Sequence, residues 1–307
     1  MNPYDYTVVD PYLEMHLIAT TSHRSHYQVV SPVAGSDSSM KAHSVFGELF
    51  LPSNTKPVPM AILVSGLGNE STIPCLMIAR HLVRHGVSAF VMHPMIRYSQ
   101  EPETSDGELF PSTSGEWLET FSVSVIDIRR VIDWSVGRDE LDEKKIAVIG
   151  ASMGGMISAV AMGVDRRISS GVFIITGGNL EEISWKEGTE VMQTGHNCTR
   201  EECHDVYGNY PHYLDDVAQK GLQNVTPAKE CFLFDPLTFA AYLRNRPLLM
   251  INGLQDEVIP KNSAISFWEA CGKPQIKWLP ATHTGIYTQQ ATINEEVSNF
   301  LKSTFKM

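Results

Sequence analysis

No stretch of this sequence approaches the roughly 18 consecutive apolar residues that a membrane helix needs, so no membrane-spanning helix is expected. Basic runs are missing too. Lys and Arg number 24 against 35 Asp and Glu, a net charge of −11, which makes nucleic acid and anionic membrane surfaces poor partners. The charge is read as ordinary solubility. Cysteine is scarce and odd in number, five residues, which fits a reducing cytosol better than a disulfide framework. The opening MNPYDYTVVD lacks a basic stretch followed by an apolar one, so no signal peptide is expected and the chain is placed in the cytoplasm. Repeats and low-complexity tracts are absent. What remains is an ordinary globular balance, 43% hydrophobic and 19% charged over 307 residues, long enough to bury a large core.

The apolar pattern gives the fold class. Residues 16–20, 27–31 and 44–51 are β-rich runs separated by turn residues. Short apolar runs at 60–65, 88–92, 145–150, 171–176, 247–252 and 275–279 then alternate with helical patterns at 73–85, 116–136, 152–162, 261–271 and 292–305. That alternation predicts an α/β fold with a mostly parallel central sheet flanked by helices. Its strand C-termini share one edge, where sites form. Residues 177–243 interrupt the alternation with polar and aromatic sequence, and are read as a mainly helical cap inserted into a core of 1–176 and 244–307. A second long loop, 93–115, is expected to border the same cleft.

Four segments carry chemistry. Gly150-Ala151-Ser152-Met153-Gly154 lies between an apolar strand and a small-residue helix, the strand–turn–helix setting in which G-x-S-x-G presents a nucleophilic serine. Asp256, in a loop after the run PLLMIN, is the candidate to orient a base. It is preferred over Glu257 for its shorter side chain, with Asp235 a weaker candidate. His283, 27 residues later and after the run QIKWL, is the candidate base. Ser65-Gly66-Leu67-Gly68 follows the run MAILV, where a backbone N–H from Leu67 can join one from Met153 to bind an oxyanion. Gly66 and Gly68 let the backbone come close to substrate.

In this order the segments resemble the α/β-hydrolase family from about residue 40 to the end. DEKKIAVIGASMGG and GLQDEVIP are closest to its dienelactone-hydrolase-like and prolyl-oligopeptidase-like esterases. Two departures matter. Ser65-Gly66-Leu67-Gly68 is not the His-Gly-Gly-Gly form of the hormone-sensitive-lipase branch, and the nucleophile is serine where dienelactone hydrolase uses cysteine. The resemblance implies a serine carboxylesterase with Ser152, Asp256 and His283 as triad, no metal or organic cofactor, and a small-molecule ester as substrate. A peptidase or acyl thioesterase would use the same triad, and a non-catalytic binding module has no reason to keep all three residues. Two-fold association into a homodimer is the base-rate expectation.

Weaker signals have blander readings. His196, Cys198, Cys203 and His204 hint at metal, but their spacing matches no usual zinc framework. Met153, Met156 and Met162 are read as helix packing. Trp185, Tyr207, Tyr210 and Tyr213 either line a substrate pocket or form the cap's own small core, with Trp185 taken as a substrate contact.

Overall fold

A computed structural model describes residues 2–6, 14–21, 24–30, 45–53, 56–67, 71–92, 111, 113–186 and 198–307. The loop expected over 93–115 lies almost wholly outside them, as do Gly68 and His196.

Nine strands form one sheet among the described residues. They are β1 (Glu14–Thr21), β2 (Arg24–Val30), β3 (Phe46–Pro52), β4 (Val58–Val64), β5 (Ser88–Met92), β6 (Leu141–Ala151), β7 (Ile168–Ile174), β8 (Leu248–Gly253) and β9 (Gln275–Leu279). The order is β1-β2-β3-β5-β4-β6-β7-β8-β9. The first three strands join antiparallel, and β5, β4, β6, β7, β8 and β9 run parallel.

Parallel strands sandwiched between helices must be apolar on both faces. β4 is the clearest case, with every residue of VPMAILV buried. Its side chains alternate between two cores, Met60, Ile62 and Val64 in one and Ala61 and Leu63 in the other. The second core is closed by α1 (Thr72–Arg84) and the C-terminal helix α10 (Gln290–Phe305). The first is closed by α2 (Ser114–Ser135), α3 (Met153–Val164), α8 (Pro236–Leu243) and α9 (Lys261–Ala270).

The segment 177–243 divides in two. Its last helix, α8, packs on α3 and forms the crossover into β8, because Gly163 leaves no side chain between α3 and Phe239. The rest holds α4 (Leu180–Ser184), α5 (Arg200–Gly208), α6 (Tyr210–Lys220) and α7 (Cys231–Phe234). Tyr207, Tyr210 and Tyr213 surround Phe232 with ring centroids 5.1, 4.3 and 5.1 Å away. They are a local aromatic core, which decides between the two readings of these tyrosines.

Candidate active site

Ser152 stands alone between the end of β6 and the first residue of α3. Its φ of 54° and ψ of −125° are rare for a residue with a side chain. Such a conformation costs about 1–3 kcal/mol and persists only where neighbours fix it. Here the Ser152 N–H donates to the Ile174 carbonyl at 2.9 Å, and the Ser152 carbonyl accepts from Gly155 and Met156 N–H at 2.9 and 3.1 Å. Backbone crowding dictates the flanking residues. A Cβ on Gly150 would lie 2.1 Å from the Gly154 carbonyl oxygen, and one on Gly154 would lie 2.2 Å from that of Val64. The turn therefore aims Ser152 Oγ outward at a helix N-terminus, where the dipole favours negative charge.

The loop after β8 brings up the carboxylate. Asp256 Oδ1 accepts N–H from Val258 at 2.9 Å and Ile259 at 2.8 Å, so the side chain is fixed by its own turn. Both carboxylate oxygens lie 3.0 Å from Nδ1 of His283, and Nε2 of that ring lies 2.9 Å from Ser152 Oγ. A buried carboxylate on Nδ1 assigns the proton there. Nε2 is then the acceptor for the serine hydroxyl. The acid loop and histidine loop are also joined through backbone: Leu254 N–H donates to the Leu279 carbonyl at 2.8 Å and Gln255 N–H to that of Ala281 at 3.1 Å. Lys186, just past α4, donates to the Asp256 carbonyl at 2.9 Å.

Asp235, the weaker acid candidate, has a different task. It is fully buried, far from His283 in the bonding network, and accepts from the N–H groups of Asn179 (3.0 Å), Leu180 (2.8 Å) and Leu237 (2.9 Å). It thus caps the first turns of both α4 and α8. Burial raises its pKa, and those three N–H groups oppose the shift.

A cavity of about 560 Å³, part of it open to solvent, leads from Ser152. Leu67 and Met153, the expected oxyanion donors, both line it. The Met153 N–H is at the first position of α3, where no carbonyl of the same helix reaches it. Gly66 comes close enough that a Cβ there would lie 3.2 Å from Ser152 Cβ. The far wall was not foreseen: Trp117 and Phe121 of α2, Leu180 and Ile183 of α4, and Phe234 at the end of α7. Val258 and Ile259 complete it from the acid loop.

One expectation is corrected. Trp185 is not among the cavity-lining residues; it lies past the last turn of α4, which turns it toward the core beside Cys203. Met153, Met156 and Met162 all pack in the core as expected, and Met153 and Met156 also reach the cavity. The missed aromatics left no distinctive signal. Trp117 and Phe121 are spaced i, i+4 on an amphipathic helix, a pattern shared by every core-facing helix.

Cys198 and Cys203 are free thiols, and exposed His204 pairs with Glu181 at 2.8 Å. No group of three or more His, Cys, Asp or Glu able to hold a metal ion occurs among the described residues. No helix among them is long and apolar enough to cross a membrane.

Residues 62–195 match the model of a family described as α/β hydrolase fold, and residues 194–306 match that of PhoPQ-activated pathogenicity-related protein. An uncharacterized protein of Mycobacterium tuberculosis is 22% identical over 165 residues, covering 53% of this chain and 34% of that one. The match thus spans about a third of the relative's length. Among solved structures, an acetyl xylan esterase from Paenibacillus sp. R4 aligns with a TM-score of 0.62 at 16% identity, over 95% of this chain and 88% of that one. A cold-adapted esterase from an Arctic intertidal metagenomic library aligns at 0.58 and 15%, over 92% and 97%. At such identities the likeness concerns the fold.

Proposed function

We propose that this chain, which has the α/β-hydrolase fold and matches that family's model over residues 62–195, is a serine carboxylesterase working through an acyl-enzyme on Ser152. The observation that carries the reading is the continuous chain from Asp256 through His283 to Ser152 Oγ, with contacts of 3.0 and 2.9 Å.

In the proposed reaction His283 Nε2 takes the hydroxyl proton as Ser152 Oγ attacks the ester carbonyl. Asp256 holds the ring and stabilises the charge it gains. The negative charge forming on the carbonyl oxygen is received by the N–H groups of Met153 and Leu67. His283 then protonates the departing alcohol. A water, deprotonated by the same nitrogen, attacks the acyl-enzyme and releases the acid and Ser152. No step requires a cofactor.

The cavity suggests the kind of ester. Apart from Ser152 every side chain lining it among the described residues is apolar. A charged or sugar-like group there would be desolvated without partners, at a cost of several kcal/mol. An uncharged aliphatic or aromatic acyl group would gain from burial. The esterase names of the two structural neighbours agree with ester cleavage.

The test is hydrolysis of p-nitrophenyl acetate, butyrate, octanoate and palmitate by wild type and Ser152→Ala, with acyl-CoA and aminoacyl amides alongside. We expect ester turnover to fall by about 10⁴-fold or more in the variant. Turnover that survives the substitution would remove Ser152 from the reaction. Preference for the thioester or amide would change the substrate class.

A further inference from the structure

Asp256 is followed by a second acid whose side chain also reaches the histidine. Glu257 Oε2 accepts the backbone N–H of His283 at 2.8 Å. We propose that Glu257 is a positioning residue that sets the place of the His283 imidazole; this rests on the esterase reading above.

The bonding of the histidine loop makes this carboxylate the fitting partner. His283 is the cap residue of a short 3-10 helix, Thr284–Gln289, so its N–H has no acceptor within that helix. Its neighbours are already engaged. The Ala281 N–H donates to Leu279 and the Ala281 carbonyl accepts from Gln255, while the Thr282 carbonyl accepts from Ile286. Thr282 Oγ1 accepts from the Gly285 N–H at 3.0 Å. Glu257 takes the His283 N–H, which none of these contacts uses. The dipeptide Asp256-Glu257 therefore grips one residue at two points, the ring at Nδ1 and the main chain at N. A ring held only at Nδ1 can still swing with its backbone. Held at both, its Nε2 has one place, and that place is 2.9 Å from Ser152 Oγ. Glutamate suits the second grip because its extra methylene spans from one loop to the next. The site is otherwise independent of it: Asp256 is anchored by Val258 and Ile259 N–H.

Positioning of this kind acts on the rate of the chemical step more than on binding, since a misplacement below 1 Å is enough to slow proton transfer. The experiment compares Glu257→Ala and Glu257→Gln with wild type, each checked for folding by circular dichroism. It reads kcat and KM on p-nitrophenyl butyrate, and the proton NMR signal and solvent exchange of the His283 Nδ1 proton. Glu257→Ala is expected to lower kcat about tenfold with KM changed less than about twofold. The Nδ1 proton signal is expected to broaden as it exchanges faster. Glu257→Gln, which keeps an acceptor oxygen, is expected to recover most of both. Wild-type kcat and an unchanged Nδ1 proton in Glu257→Ala would overturn the proposal, as would a Gln variant no better than Ala. If wild type shows no Ser152-dependent turnover, the esterase reading fails by itself. The Nδ1 proton then still decides whether Glu257 positions the ring.

Discussion

Around Ser152 the backbone places the atoms; across the cavity side chains do. On the serine side, Gly150 and Gly154 sit where any Cβ would meet a carbonyl oxygen at 2.1 or 2.2 Å. The serine's own dihedral angles are held by main-chain hydrogen bonds. On the far side, Trp117, Phe121, Leu180, Ile183 and Phe234 present only apolar surface. One side tolerates no substitution, and the other can exchange one hydrophobic shape for another. The lesson is that the reaction type and the substrate choice are stored in separate parts of the chain.

The largest effect that would sharpen this contrast is at Gly154. Gly154→Ala drives a methyl group into the Val64 and Ser65 carbonyls, at 2.2 and 2.4 Å, with nowhere for either to move. We expect loss of more than about 4 kcal/mol of stability, read as unfolding in urea or as insoluble protein. A well-folded, active Gly154→Ala variant would break the comparison.

An intermediate effect is expected from the wall. Phe121→Leu keeps the surface apolar while enlarging the cavity. The octanoate-to-butyrate ratio of kcat/KM is expected to rise about tenfold, the scale that one or two methylenes command in an apolar pocket. The variant is expected to lose about 1–2 kcal/mol in a thermal melt, the transfer and cavity cost of the removed atoms. An unaltered chain-length profile would mean that this wall is not where the substrate lies.

The smallest effect concerns α2 itself. Asp127 is buried, and desolvation raises its pKa from 3.8 to about 7 despite the Arg130 guanidinium at 3.3 Å. Below pH 3.8 the group is neutral whether folded or unfolded, so the native state bears no penalty. The penalty grows as pH rises and is complete once pH passes about 7. Asp127→Asn is therefore expected to melt higher than wild type at pH 8, with the gap shrinking toward pH 5. A constant gap would assign the difference to packing.

The same contrast explains what the sequence revealed. Every strand of the parallel sheet was legible; away from the half-buried edge strand β9, burial on both faces forces short apolar runs such as MAILV and KIAVI. Ser152, Asp256 and His283 stood out because each follows such a strand, and because the crowded turn accepts only glycine at 150 and 154. The wall did not stand out. Phe121 and Ile183 look like any core residue until the helices are placed in space. Trp185 was singled out for its size, yet size says nothing about which side of α4 it faces. The tyrosines stayed open between two readings for a similar reason: an aromatic ring is equally useful for filling a core and for contacting a ligand, and position alone decides.

Asp235 ties the start of α4 to the start of α8, and α8 packs against α3. Leu180 and Ile183 therefore belong to a wall that is anchored to the core before any ligand arrives. The entropy of ordering these residues is spent during folding, leaving little to lose on association. In a calorimeter, an apolar inhibitor entering this site will show the negative heat-capacity change of surface burial, without the larger excess that accompanies coupled folding.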